Sequence, residues 1–243
     1  MDGFLLVLVL ATLPALGYIG GGLLAEAVIA TPRTLSFALH AAAGVVFAIV
    51  AVELMPRVLE ATIPWVVVLA FVLGALFFIG LDLANHFIQA RLGASPESSG
   101  PYTIFLGVAI ELLNDGIMVG AGTTITPALG FLLALGQVPA NVPQAFATIA
   151  TFKARGVARL RRILLTLALG IPVVLGATVG YFAVLGQPDL LKQTVLAFTA
   201  GALVILIVEE IMPEAHREWD AHVTSLAFIS GFVVFMLISA YLG

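Results

Sequence analysis

Cysteine is absent from the 243 residues, which excludes disulfides and thiolate metal ligands and leaves any metal chemistry to oxygen and nitrogen donors. Charge is scarce too. Asp, Glu, Lys and Arg together make up 10% of the chain, too little to cover the water-facing surface of a soluble protein of this length. A His-Glu-x-x-His signature, the mark of helical zinc hydrolases, is missing. The first apolar stretch, Gly3 to Ala25, has no basic leader and is long for a signal-peptide core, so it is expected to be a mature helix.

What is present is apolar. Hydrophobic residues make up 61% of the chain and mean hydropathy is +1.16, values that point to an all-α integral membrane protein. Strands of such length and hydrophobic continuity would not form a barrel. A span takes about 20 residues, so the chain has room for roughly eight helices in one membrane domain covering 1–243 and no soluble domain. Charge and turn clusters place the helices at about 3–27, 35–57, 63–91, 102–122, 127–153, 160–185, 190–214 and 222–242.

The basic residues orient this bundle. Alternate loops carry Arg33, Arg91, Lys153, Arg155, Arg159, Arg161, Arg162 and Arg217, whereas the other set carries Arg57 and Lys192. The first set is expected on the cytoplasmic side. This predicts a multi-pass cell-membrane protein with both termini on the non-cytoplasmic side. Anionic lipid and topology account for the cluster from Lys153 to Arg162, so no nucleic-acid partner is expected.

A motif recurs across the bundle. Ala43-Gly44 precedes Glu53-Leu54-Met55-Pro56, and Ala200-Gly201 precedes Glu210-Ile211-Met212-Pro213 at the same spacing. With the second and seventh helices running in opposite directions, this predicts an inverted repeat of helices 1–3 and 6–8 around helices 4–5, an architecture of secondary transporters.

The fourth and fifth helices hold the polar chemistry. Glu111 and Asp115 are four residues apart and so share one helical face, with no Lys or Arg nearby in sequence. Two carboxylates in a helix centre invite a cation or a shared proton. The fifth helix offers Gln137, Asn141 and Gln144, and its Pro139 and Pro143 each remove a backbone donor and free a carbonyl. Glu111, Asp115, Asn141 and Gln144 are therefore the candidate metal ligands. The same residues also suit a static polar network in which one acid is protonated and bonded to an amide across the interface.

These two helices, the eight-helix plan and the run Val208-Glu209-Glu210-Ile211-Met212-Pro213-Glu214-Ala215-His216 resemble the ZIP (Zrt/Irt-like) family of divalent metal transporters over nearly the whole chain. The resemblance implies metal movement into the cytoplasm by an elevator-like motion, with helices 1, 4, 5 and 6 as transport domain and 2, 3, 7 and 8 as scaffold. It also implies a homodimer through the scaffold, and an inner gate or exit path that includes Glu209 and Glu210.

The chain departs from the family at several ligands. Where the family has His-Asn-x-Pro-Glu-Gly, this sequence has Glu111-Leu112-Leu113-Asn114-Asp115-Gly116. The bridging carboxylate of the fifth helix is replaced by Gln144, and Ile171 rather than Glu precedes Pro172. One site with two carboxylates and two amides is expected instead of a two-metal centre. Oxygen donors suit Mn²⁺, Fe²⁺, Mg²⁺ or Ca²⁺, while the affinity order still favours later metals, so zinc, iron and manganese are the expected substrates. No permanently bound cofactor is expected. Two other readings stay open: a carrier of protons or another solute on the same scaffold, and an intramembrane hydrolase using paired acids.

Further polar residues are candidates for the exit path. Asp82 and His86 lie near the inner end of the third helix with Asn85 and Gln89, and Glu214 and His216 close the seventh, followed by Glu218, Asp220 and His222. Each group also suits a hydrated helix end. His40 lies alone near the start of the second helix and reads as a packed or interfacial histidine. The glycines of Gly116-x-x-x-Gly120 and Gly176-x-x-x-Gly180 permit close helix approach. The loop from Arg91 to Pro101 has no histidine cluster, so metal regulation through it is not expected.

Overall fold

The computed structural model describes residues 2–29, 31–91, 101–216 and 223–242, and every regular element among them is helical. Eight rods follow one another: α1 (Asp2–Ala27), α2 (Pro32–Leu59), α3 (Pro64–Arg91), α4 (Pro101–Ile125), α5 (Pro127–Ala154), α6 (Arg159–Val184), α7 (Asp189–His216) and α8 (Thr224–Leu242). Their centres agree with the predicted helices. Their ends differ by a few residues for local reasons. Thr31 caps α2 by accepting from the Thr34 amide at 3.2 Å, with Pro32 in the first turn, so the helix starts three residues earlier than expected. Thr126 does the same for α5 through the Leu129 amide at 3.0 Å, which leaves a single-residue break after α4.

Among the described residues six rods are long and apolar enough to cross a membrane: α1, α2, α4, α6, α7 and α8, the make-up of a multi-pass membrane protein. α5 has 28 residues but is interrupted by Gln137, Pro139, Asn141, Pro143 and Gln144, so its polarity excludes it from that set. In α3 the apolar stretch among the described residues is Pro64–Gly80.

Proline shapes the rods where it falls inside them. Pro172 has no N–H, and its ring opposes the carbonyl of Ala168; α6 accordingly breaks at Leu169 between Arg159–Ala168 and Gly170–Val184. α2 and α7 solve the same problem differently. Ahead of Pro56, residues Ile49–Leu54 form a wide turn in which the Met55 amide reaches back five residues to the Val50 carbonyl. Ahead of Pro213, Ile207–Ile211 do likewise, with the Met212 amide on Ile207. Each wide turn inserts one residue and shifts the phase of everything after it.

The helices pair closely as α4 with α6, α1 with α5, α3 with α7, and α2 with α8, and α5 also packs on α4. Glycine permits the tightest of these approaches. A Cβ added at Gly44 would lie 2.0 Å from the Phe228 carbonyl oxygen of α8, and one at Gly201 would lie 2.0 Å from that of Phe71 in α3. The reciprocal positions, Gly231 and Gly74, are as crowded by Ala41 and Phe198. Gly201 and Gly231 stand at one offset, 157 positions, from Gly44 and Gly74 (201 − 44 and 231 − 74). Between α4 and α6, Gly116 and Gly120 meet Val173 and Ala177, while Gly176 and Gly180 meet Leu113 and Ile117, so the two Gly-x-x-x-Gly runs interlock face to face.

One end of the bundle is fastened by the basic residues. Lys153 donates to the Ala25 carbonyl at the end of α1, favourable for a cation at a helix C-terminus. Arg162 grips Glu26 with Nε and Nη2, the latter at 2.8 Å.

Candidate functional site

Glu111 and Asp115 lie on the α4 face that meets α5, and both are buried. Because α5 presents Gln137, Asn141 and Gln144 at roughly one-turn intervals, its amides rise beside the acids like facing rungs. Gln144 faces Glu111 and Asn141 faces Asp115. The structure thus brings together all four residues chosen from sequence as ligands. Gln137, seen in the sequence as part of the polar set but not chosen, makes the firmest contact: its Nε2 donates to Asp115 Oδ1 at 2.7 Å.

Among the described residues, two oxygens in this layer have no donor. Asp115 Oδ2 and Asn141 Oδ1 are buried without a hydrogen-bond partner, although the Asn141 amide nitrogen is used, donating to the Pro14 carbonyl of α1 at 3.2 Å. Buried polar atoms are nearly always paired, so two orphaned acceptors in one layer need an account. Both are hard oxygen donors, the kind that coordinates a divalent cation.

Tyr18 of α1 completes the wall. It is fully buried, its hydroxyl also lacks a partner, and it lies near Glu111 and Thr148. Nothing in the sequence marked it except its being the one phenol in α1. Pro14, whose carbonyl receives Asn141, was likewise visible only as a proline inside a helix.

Glu111 and Gln144 open onto a cavity of about 240 Å³ between α2, α4, α5 and α7, whose lining also includes Thr148, Thr151, Glu210 and Glu214. Glu210, a candidate for the inner gate, and Glu214, a candidate for the exit path, therefore share a space with the central pair, and Glu210 is within electrostatic reach of Glu111. Glu209, on the next position of α7, is exposed and not part of that lining. The cavity extends from Glu111 past Thr151 toward the end where Lys153 fastens α1. Asp115, Asn141 and Gln137 lie beyond it, each about 1% exposed.

His216 sits at the end of α7 and meets His40 of α2 with their Nε2 atoms 3.4 Å apart. The expectation that His40 stands alone is corrected: it is packed, being 2% exposed, but against a second imidazole that sequence distance conceals. The side chains of Asp82, Asn85, His86 and Gln89 lie outside the described residues, as do Glu218, Asp220, His222 and the loop after Arg91. Among the described residues no three His, Asp or Glu side chains converge as a metal cluster, so a central site here draws on amide oxygens besides the two acids.

No family model matches the chain. Curated proteins do. The zinc transporter ZupT of Shigella dysenteriae serotype 1 is 28% identical over 195 residues, 75% of this chain and 76% of that protein. The zinc transporter GufA of Myxococcus xanthus is 28% identical over 176 residues, 70% of this chain and 69% of its own length, and ZupT of Salmonella newport is 29% identical over 195 residues, again 75% and 76%. The likeness read from helices 4, 5 and 7 thus extends over most of the chain.

Proposed function

We propose that this chain, a divergent member of the ZIP family of zinc transporters, carries a divalent metal cation across the membrane through the layer of Glu111, Asp115, Asn141 and Gln144. It acts as a carrier and not as an enzyme, and zinc, iron and manganese are its candidate substrates. The observation that carries this reading is the pair of orphaned buried oxygens, Asp115 Oδ2 and Asn141 Oδ1. A divalent cation satisfies both, with Glu111 and the Gln144 amide one turn along the same two helices.

The path runs toward the cytoplasm. What supports this direction is the cavity that joins Glu111 to Glu210 and Glu214 and leads to the basic end. A cation leaving Asp115 passes Glu111 and then the acids of α7, each a partial replacement for its lost ligands. Alternating access is elevator-like: α1, α4, α5 and α6 slide as one body against α2, α3, α7 and α8. The strongest pairings fall within these two groups, and the cavity lies between them. The inverted repeat is supported by the matched wide turns before Pro56 and Pro213 and by the constant offset of the paired glycines.

A carrier of protons or another solute is the second reading, favoured by the lack of a three-residue acid or histidine cluster among the described residues. Uptake into proteoliposomes across Zn²⁺, Mn²⁺, Fe²⁺, Cd²⁺ and Mg²⁺ separates the two. Saturable metal uptake that falls to the background of empty vesicles in Glu111→Ala and Asp115→Ala supports the metal carrier. Flux of protons without metal dependence, and no metal uptake by folded native protein, sinks it.

A further inference from the structure

We propose that the Tyr18 hydroxyl positions Glu111 for the cation, donating to its carboxylate when the site is loaded, so that α1 contributes to the layer built by α4 and α5. Tyr18 acts here through Glu111 as a ligand, so this role deepens the transport reading and rests on it. Its ground is a phenol buried with nothing to bond. Tyr18 is 1% exposed, and its hydroxyl joins Asp115 Oδ2 and Asn141 Oδ1 as the buried side-chain atoms left without a hydrogen-bond partner among the described residues.

These three atoms differ in kind. An amide oxygen or an ionised carboxylate oxygen only accepts, and a cation satisfies it. A phenol also has a hydrogen to give, which a cation leaves without an acceptor. An anionic ligand supplies one. Glu111 is the carboxylate beside Tyr18, whereas Asp115 already holds Gln137 through Oδ1. Thr148 also lies near the phenol without a hydrogen bond joining them, and its own hydroxyl donates to the Gln144 carbonyl at 3.0 Å.

The packing around the phenol holds it still. Gly17 and Gly21 set α1 against the α5 backbone at Val138 and Val142, where an added Cβ would be crowded. Pro14 lies one turn before Tyr18 on the same face, and its carbonyl receives the Asn141 amide at 3.2 Å, which ties α1 to α5 beside the phenol. The ring belongs to a buried apolar cluster with Leu112, Ala145, Leu169 and Val173; the first two adjoin Glu111 and Gln144 in sequence. Glu111 instead opens onto the cavity. The carboxylate is therefore the partner with room to move, and the phenol is the fixed donor that it reaches on loading. A ligating carboxylate bonded by a fixed outer partner keeps one orientation toward the metal, and loss of such a partner characteristically costs about 10–100-fold in affinity or activity.

The test compares the native full chain with Tyr18→Phe, which removes the hydroxyl and keeps the ring. In proteoliposomes supplied with Zn²⁺, Mn²⁺ or Fe²⁺, the variant is expected to need a roughly 10–100-fold higher concentration for half-maximal uptake of the ions that the native chain carries, at a maximal rate close to native. Thermal unfolding in micelles supplies the control for folding. Metal-free Tyr18→Phe is expected to be no less stable than native, because the hydroxyl it loses strands no partner, while the rise in unfolding temperature produced by a carried ion shrinks with the weakened binding. Saturable native uptake with an unchanged half-saturation in Tyr18→Phe overturns this proposal and leaves the transport reading standing. A metal-free variant that unfolds earlier than native makes the hydroxyl a structural group and also overturns it. A native chain that takes up none of the three ions removes the transport reading, and this role with it.

Discussion

Glu53 and Glu210 occupy the same place in two copies of one motif, and their surroundings are opposite. Each is the penultimate residue of a wide turn ahead of a Met-Pro, and each helix is held by the same kind of glycine contact, Gly44 on α8 and Gly201 on α3. Glu53 is 5% exposed, accepts a hydrogen bond from Ser239 and lies 3.8 Å from Arg57. Glu210 is exposed and lines the cavity that reaches Glu111. A repeated backbone device therefore carries a closed carboxylate at one end of the bundle and an open one at the other. For the alternating-access carrier proposed above, this difference is the one expected of a state open at the basic end, because only one end of the path is accessible at a time.

The largest expected effect follows from this asymmetry. Glu210→Gln should lower metal uptake by about tenfold, the factor that 1.4 kcal/mol of lost interaction produces, whereas Glu53→Gln keeps the Ser239 contact and should change the initial rate much less. Equal losses in vesicle uptake would remove the distinction between the two ends. Next come the glycines, where the two copies should behave alike. Gly44→Val and Gly201→Val each drive a side chain into a facing backbone, and each should lower stability by about 1–3 kcal/mol, the usual cost of overpacking. Thermal unfolding in micelles checks this, and a large loss at one glycine alone would break the symmetry.

The smaller effects concern the closed end. Ser239→Ala deprives a buried carboxylate of its donor and should cost about 0.6–1.7 kcal/mol, the range for hydrogen bonds between membrane helices. Arg57→Gln removes a long ion pair whose arginine is 35% exposed, and should cost no more than about 1 kcal/mol. If Arg57→Gln proves more damaging than Ser239→Ala in the same unfolding assay, the closure of Glu53 is electrostatic and not a matter of hydrogen bonding.

The sequence made the helices legible because membrane spans need no tertiary information: Pro64, Pro101, Pro127 and the charges from Lys153 to Arg162 mark the breaks by themselves. The acids of α4 and the amides of α5 were legible because a polar side chain inside a largely apolar helix demands a reason. What escaped depends on contacts between distant segments. Tyr18 enters the site from α1, and Gln137 instead of Asn141 makes the hydrogen bond to Asp115, since the rotation of α5 against α4 decides which amide arrives. The wide turns could not be read either, because proline signals a disturbed helix without saying whether it breaks, as at Pro172, or widens, as before Pro56 and Pro213. His40 and His216 are 176 positions apart, and only the packing of α2 on α7 makes them neighbours.

Cysteine's absence makes the most direct measurement simple, since any thiol introduced is the only one present. Thr151→Cys places it in the cavity lining. A membrane-impermeant thiol reagent should label it from the side bearing Lys153 and Arg155, and Mn²⁺, which favours oxygen over thiolate ligands, should slow that labelling in the native background but not with Asp115→Asn. Labelling from the opposite side, or labelling that Mn²⁺ leaves unchanged, would contradict a metal path from Asp115 through Glu111 to the basic end.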